Sequence, residues 1–440
     1  MLKRKITEQL TNWKTASNHK PLIIKGCRQC GKTFSVKQFA EENYKSIIYI
    51  NFIEQPEYAE VFKGSLAVDN IMMRLTALHG VGKPIIKGNT CIILDEIQEC
   101  PDARSALKFF CLDGRYDVLC TGSLLGVKGY GDKEMRSVPV GYETIIEMYP
   151  LDFEEFLWAN GIQDEVTDYL KECMTKETPV QDAIHNRMRE LFRQYVIVGG
   201  MPEVVSTYIE EKDLSHVLSM QRDIIEGYKD DMIKYASKTD KAHIRECFES
   251  IPNQLAKDNK KFQYSLIRKK GTASMYAGSI QWIEDAGIVC RCYNLTIPEL
   301  PLAGNAIQDV FKVYMSDSGL FVSMLEDGTQ FDILNGNMGT YKGAIYENII
   351  ADIFHKMGCK LYYYRKDSGL EIDFVIRYKG ECMLVEVKST TGNTKSSKTI
   401  LAHPEKYHVG GVIKLGDYNI GHKENILTLP LYMSYMLNNP

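Results

Sequence analysis

The stretch Leu22-Ile23-Ile24-Lys25-Gly26-Cys27-Arg28-Gln29-Cys30-Gly31-Lys32-Thr33 constrains this chain more than any other. An apolar run ends in G-x-x-x-x-G-K-T, and a helical pattern follows from Phe34 through Tyr44. A strand that turns through such a loop into a helix points backbone N–H groups inward, where with the helix N-terminus they cradle phosphate. The expectation is a nucleoside triphosphate, ATP, held by Gly26, Cys27, Arg28, Gln29, Cys30, Gly31, Lys32 and Thr33. Lys32 would reach the β/γ-phosphates, and the Thr33 hydroxyl would bind Mg²⁺. Cys27 and Cys30 make a C-x-x-C, but it lies inside the phosphate loop with no second pair nearby, which argues against a zinc or redox role.

Three further apolar runs follow at Ile47–Phe52, Cys91–Glu96 and Val118–Ser123, and residues 6–18 read as a helix beside the loop. Continuously apolar strands separated by helical stretches predict a parallel sheet covered on both faces. The second of these runs ends in Asp95-Glu96, at the strand end where α/β sheets place ligands. Asp95 would hold Mg²⁺, directly or through water, and Glu96 would polarise the attacking water. Thr121 and Ser123 end the next strand and are candidates for sensing the γ-phosphate, with an ordinary polar turn as the alternative.

At 440 residues the chain exceeds one domain. A net charge of −4 gives no overall pull toward nucleic acid, so any such contact requires a local patch. The twelve cysteines show no framework spacing, and a chain this large needs no staples. Reduced thiols and a cytoplasmic location are the expectation. No apolar run is long enough to cross a membrane or to act as a signal segment.

Beyond Tyr149-Pro150-Leu151-Asp152-Phe153-Glu154-Glu155-Phe156 the pattern is helical to about residue 235, broken at Val198-Gly199-Gly200-Met201-Pro202. With the loop at 26–33, Leu94-Asp95-Glu96-Ile97-Gln98 and Thr121-Gly122-Ser123, these segments resemble bacterial and archaeal ATPases of the AAA superfamily that carry a C-terminal domain of unknown function. The resemblance implies ATP hydrolysis and extends nearly end to end. It implies that Pro202 lies near adenine, against the alternative of a helix breaker between packed helices. It also implies that a neighbouring subunit can complete the site, so a homo-oligomer or a protein partner is expected. Many relatives carry Gly-Arg before the Tyr-Pro-Leu segment, whereas this chain has Gly141-Tyr142. Arg136, Arg193 and Arg222 all stay open as the arginine finger.

Residues 239–300 have the helix–helix–strand order of a winged helix. Between 257 and 270 lie six cations (Lys257, Lys260, Lys261, Arg268, Lys269, Lys270) against the single acid Asp258. Such a patch suits a DNA backbone, and a solvated packing face is the alternative.

After a connector at 301–335, residues 336–440 carry a second constellation. A helix at about 341–357 puts Glu347 at the edge of an apolar stripe. Two strands, 371–377 and 382–388, are joined across Lys379-Gly380. A two-residue turn there pairs Tyr378 with Glu381, and counting back sets Asp373 opposite Glu386, with Lys388 on the same face. An acid, a separated acid and E-x-K, preceded by a helical glutamate, resemble the restriction-endonuclease-like PD-(D/E)xK core. That resemblance implies Glu347, Asp373 and Glu386 as ligands of Mg²⁺ or Mn²⁺, with Lys388 activating water. Spacing alone equally allows a salt-bridged hairpin in which Lys388 compensates both acids. His403, His408 and His422 are scattered and are expected at the surface.

The fold expected is a multidomain α/β chain. A parallel-sheet P-loop domain at 1–150 leads into a helical segment at 151–238, then the winged-helix-like module and the nuclease-like α/β domain. The function expected is an ATPase coupled to a metal-dependent nuclease acting on DNA. The alternatives are a nucleotide-operated switch and a partner-binding remodeller, neither of which cleaves.

Overall fold

The computed structural model describes residues 2–79, 85–123, 140–235, 240–336, 341–388 and 395–437. The chain divides into two compact units, one holding Lys3–Pro150 with 285–287, the other the remainder.

In the first unit, β1 (Leu22–Gly26), β2 (Ser46–Asn51), β3 (Thr90–Asp95), β4 (Asp117–Ser123) and β5 (Thr144–Glu147) form one sheet in the order β2-β3-β4-β1-β5. Every neighbouring pair is parallel. The three inner strands, β1, β3 and β4, are near-continuously apolar, as parallel strands covered on both faces are. Ile23, Ile92, Ile93, Leu94 and Leu119 are fully buried. The expected helix at 6–18 forms over Ile6–Thr15, and the one after the loop begins at Lys32 rather than Phe34.

In the second unit, five helices run from Phe153 to Tyr235. The Asp152-Phe153-Glu154-Glu155 segment is a capping box: the Glu155 amide donates to Asp152 at 2.9 Å, and the Asp152 amide donates to Glu155 at 3.1 Å. Gly199 ends one helix at φ 71°, a conformation that disfavours any side chain, and Pro202 opens the next in its first turn, where its missing N–H is harmless. The Gly200 amide donates to Asp317 at 2.7 Å, and Leu151 donates to the Gly200 carbonyl at 2.6 Å. The Gly-Gly-Met-Pro element therefore has a full structural account inside this unit.

Helices Lys241–Leu255, Tyr264–Ile267 and Ala273–Asp285 precede an antiparallel pair, β6 (Val289–Leu295) and β7 (Ala306–Met315). Residues 301–335, expected as a connector, hold β7 and the helices Ser318–Ser323 and Thr329–Asn335. β7 and β6 continue into β8 (Leu361–Arg365) and β9 (Glu371–Ile372) as one sheet, ordered β7-β6-β8-β9. A second sheet is ordered β10-β11-β12-β14-β13, with β10 Phe374–Tyr378, β11 Glu381–Val387, β12 Gly411–Gly416, β13 Gly421–Lys423 and β14 Ile426–Pro430. The hairpin pairs in the register counted from its turn, Tyr378 with Glu381 and Phe374 with Val385. Lys379 and Gly380 both have positive φ, as a two-residue hairpin turn requires. The expected single strand at 371–377 is two strands, and Asp373 sits at the break between them.

Candidate functional site

Two clusters of chemistry-bearing side chains stand out, one in each unit. The first is built where β1, β2, β3 and β4 end together. Gln29 (φ 63°) and Gly31 (φ 93°) take left-handed backbone, turning the loop into the helix that starts at Lys32. Lys32 is buried, and its Nζ donates to the carbonyls of Cys27 at 2.8 Å and Gly26 at 3.2 Å. An ammonium held by its own loop's carbonyls is placed to exchange them for phosphate oxygens. Gly26 has no room for a side chain, because a Cβ there would stand 2.3 Å from the Met148 carbonyl oxygen.

Asp95 is the centre of this cluster and is buried at the end of β3. The Thr33 hydroxyl donates to its two oxygens at 3.0 and 3.1 Å, and Thr121 donates to Oδ1. Tyr49 donates at 2.7 Å and Asn51 at 3.3 Å, both from β2. Burial and the neighbouring Asp95 push the Tyr49 phenol up, so it stays a donor. Every one of these hydrogen-bond partners is neutral. That donor set of hard oxygens, Thr33 and Asp95, fits Mg²⁺ accompanying a nucleotide. Glu96 is half-buried at φ 55°, and Gln98 Nε2 donates to it at 2.5 Å, which orients the carboxylate. Ser123 ends β4 beside Gly26. Tyr49 and Asn51 were not anticipated, although both lie at the C-terminal end of an expected strand. Arg4 was not anticipated either: it ties the loop down through the Cys30 carbonyl at 3.1 Å and the Tyr149 carbonyl at 2.7 Å.

The second cluster lies around the helix Lys342–Lys356. Glu347 was expected at the rim of an apolar face. That helix is buried on all sides from Ala344 to Phe354, and Glu347 is only 6% exposed. Its carboxylate accepts from Tyr314 at 3.0 Å and from Lys312 at 3.4 Å, and forms an ion pair with Lys260. Burial alone would raise its pKa, but Lys312 and Lys260 outweigh that and hold it at about 2. Lys312, in the middle of β7, is fully buried and also reaches Glu371 at 3.0 Å. Its ammonium is held above its ordinary value by Glu347, Glu371 and Asp373, despite burial. A lysine is almost never fully buried unless paired, so Phe311-Lys312-Val313-Tyr314 inside an apolar strand was the signal that could have revealed it.

Asp373 accepts from the Val387 amide at 2.8 Å, and burial and Glu347 raise it to about 6. Glu386, 2% exposed, pairs with Lys388 at 2.9 Å and accepts from the Ser397 amide at 3.2 Å. Lys388 stands 4.0 Å from Asp373. Asp373, Glu386 and Lys388 thus share one face, whereas Glu347 is taken up by Lys260, Lys312 and Tyr314. Among the described residues no three His, Cys, Asp or Glu side chains are grouped so as to hold a metal ion. Lys388 stands beside Asp373 and Glu386, and Lys260 and Lys312 stand beside Glu347, so an ammonium group of the protein itself faces each of the ligands expected for Mg²⁺ or Mn²⁺.

Arg193 pairs with Asp417 at 3.3 Å, and Arg222 pairs with Asp327. Arg136 lies outside the described residues. His403, His408 and His422 are exposed. All twelve cysteines are thiols. Among the described residues no helix is long and apolar enough to cross a membrane.

No curated protein matches the chain. Among solved structures it is similar to a Walker-type ATPase of Pyrococcus abyssi, at 12% identity over 74% of this chain and 96% of that one, with a TM-score of 0.42. It is also similar to the RuvB Holliday junction branch migration motor of Thermotoga maritima (12% identity, 66% and 90% covered, TM-score 0.30). AMPPCP-bound DnaA of Aquifex aeolicus gives 13% identity, 64% and 87% covered, and a TM-score of 0.26. Residues 189–330 and 342–433 match two domains of unknown function, DUF8612 and DUF4143. Residues 18–157 match the AAA domain, and with the loop, the Asp95-Glu96 strand end and the parallel sheet they form a P-loop domain of the AAA ATPase type.

Proposed function

We propose that this chain is an ATP-hydrolysing switch whose C-terminal constellation is a charge-balanced platform that does not cleave. The observation that carries the ATPase reading is Asp95, which neutral donors surround and which the Thr33 hydroxyl reaches at 3.0 Å. In this reading the amides of residues 27–33 and the Lys32 ammonium take the phosphates. Thr33 and Asp95 hold Mg²⁺, which supplies charge neutralisation when bound. Glu96, oriented by Gln98, aligns and polarises the attacking water, and Thr121 links Asp95 to the end of β4, where Ser123 can meet the γ-phosphate. A subunit-supplied arginine belongs to the same reading.

Two variants test it. Lys32→Ala should weaken ATP binding by about 100-fold or more, since it removes a buried cation of the phosphate loop. Glu96→Gln should bind ATP normally and turn over about 10²–10⁴-fold more slowly. Normal binding by the first or unchanged turnover by the second overturns the assignment.

Lys257, Arg268, Lys269 and Lys270 are exposed, and the amide of Phe262 donates to the Phe311 carbonyl at 2.8 Å, which adds a short strand contact to the helices and the β6–β7 pair. That order supports a winged-helix reading with a DNA backbone as partner. One observation favours a second reading, a metal-dependent nuclease: Asp373, Glu386 and Lys388 lie on one face within 4.0 Å of the lysine. Incubation with plasmid and Mn²⁺ separates the two. The platform reading expects no cutting, whereas cleavage that Glu386→Ala and Lys388→Ala both lose establishes the nuclease.

A further inference from the structure

Inside the phosphate loop, the second and fifth positions are both cysteines, and their thiols are hydrogen-bonded to one another. Cys30 is fully buried and Cys27 is 5% exposed. The Cys30 thiol faces the Met148 carbonyl oxygen at 3.4 Å, and the Lys32 ammonium is 4.0 Å away. The hydrogen bond from Cys27 lowers the Cys30 pKa to about 6, helped by Lys32 and Arg4 and opposed by burial. Thiolate character next to a cation is what makes one cysteine of a pair the nucleophile toward peroxides. Spacing alone argued against a redox role, because it contained neither the contact between the thiols nor the ammonium beside them.

We propose that Cys27 and Cys30 form a reversible disulfide under peroxide oxidants, and that this disulfide closes the phosphate loop to ATP. The proposal rests on the ATP-binding reading of the loop. The Cys30 thiolate attacks a peroxide oxygen and breaks the O–O bond. With one proton this yields a sulfenic acid and, from hydrogen peroxide, one water. The Cys27 thiol then displaces hydroxide from the sulfenic sulfur, its proton leaving with that hydroxide as a second water. Two thiols have lost two electrons, and the peroxide has gained them. A dithiol reductant reverses the step by exchange.

The consequence for binding follows from the loop's geometry. A phosphate needs the amides between residues 27 and 33 to open around it and the Lys32 ammonium to leave the carbonyls of Gly26 and Cys27. A covalent link from residue 27 to residue 30 joins two points of that arc across a 2.0 Å bond, fixing it in its own closed ring. It also pulls Cys30 off Met148, beneath a Gly26 that has no free space around it. By linkage, bound ATP must in turn slow the disulfide.

The test uses the full chain. Reduced protein is treated with hydrogen peroxide, mapped by peptide mass for a 27–30 link, and titrated with a fluorescent ATP analogue. The expected result is a linked peptide two mass units light, an apparent Kd raised at least about tenfold, recovery with dithiothreitol, and slower linking when ATP is present. Cys27→Ala and Cys30→Val, each compared with its own reduced form, should show no peroxide-dependent change in Kd. Absence of the linked peptide, or linked protein that binds the analogue within twofold of the reduced form, overturns the proposal. A peroxide response that survives in both variants does so too. Failure of the reduced wild type to bind the analogue instead sinks the ATP reading and is told apart by that control.

Discussion

The two acid-centred clusters use the same residue types and differ in the charge of what surrounds the carboxylate. Asp95 accepts from two threonines, a tyrosine and an asparagine, all neutral, so its buried charge is stabilised but not cancelled. Glu347 accepts from one tyrosine and two lysines, so its charge is cancelled from within the protein. Hydroxyl and amide donors lower the energy of a buried carboxylate while leaving a field for a cation to enter. Ammonium partners remove that field, and a divalent ion then meets repulsion from Lys312 as well as attraction from Glu347. Carboxylates in the right order along a chain therefore do not make a metal site. Their partners decide it.

The largest test of that contrast is Asp95→Asn. It keeps the shape and the Thr33 contact but deletes the charge that would hold Mg²⁺, and turnover should fall by about 10²–10³-fold, the loss expected when several kcal/mol of metal-borne charge stabilisation go. Thermal stability should change little by comparison. Turnover that persists with an unchanged Mg²⁺ requirement breaks the comparison on the nucleotide side.

The opposite signature is expected at the other cluster. Lys312→Met removes the buried cation that Glu347 shares with the half-buried Glu371, leaving Lys260 on the one and Arg365 on the other, a change worth about 2–3 kcal/mol of destabilisation, below the full cost of an unpaired buried charge. Adding Glu347→Gln to that variant should recover a large part of the loss, since a neutral amide no longer needs the ammonium. Chemical denaturation of the single and double variants measures both numbers. A Lys312→Met protein as stable as wild type would mean the ammonium is not what balances these acids.

How much of this was legible in the sequence depended on the span over which each contact forms. The phosphate loop is eight consecutive residues with its strand and helix attached, so its pattern is local. The hairpin register was local too: positive φ at Lys379 and Gly380 sets the turn, and the pairs from Tyr378–Glu381 to Phe374–Val385 follow by counting, up to the break at Asp373. Tyr49 and Asn51 meet Asp95 only because β2 pairs with β3 in parallel, a fact of sheet order that no short window contains. Lys260 and Lys312 reach Glu347 from 87 and 35 residues away, through a helix docked on a sheet. The helical period placed Glu347 beside the apolar stripe correctly, but it could not show that the opposite side of the helix is covered as well. The expected boundary at residue 300 falls between β6 and β7, which pair with each other. Their continuation into β8 is a pairing across more than 60 residues of sequence.

The finest test concerns Asp373, where the sign of the electrostatics is opposite to that at Glu347. Burial and the neighbouring Glu347 raise Asp373 from 3.8 to about 6 in the folded protein. A raised pKa means the folded state holds a proton that the unfolded chain has released, so this group's contribution is full below about pH 4 and is lost as pH climbs through 6. Glu347 runs the other way. Held at about 2, it contributes fully above its ordinary 4.5 and loses that contribution as pH falls toward 2. Asp373→Asn should accordingly stabilise the protein at pH 8 by about 1–3 kcal/mol, and the gain should shrink toward zero as pH approaches 4. Glu347→Gln should destabilise at pH 8, with the loss fading only in stronger acid. Denaturation midpoints of both variants across pH 4–8 resolve the two slopes. If Asp373→Asn is destabilising at pH 8, then Lys388 and the Val387 amide favour the ionised form more than burial and Glu347 oppose it. The nuclease reading of this face would in that case gain at the expense of the platform.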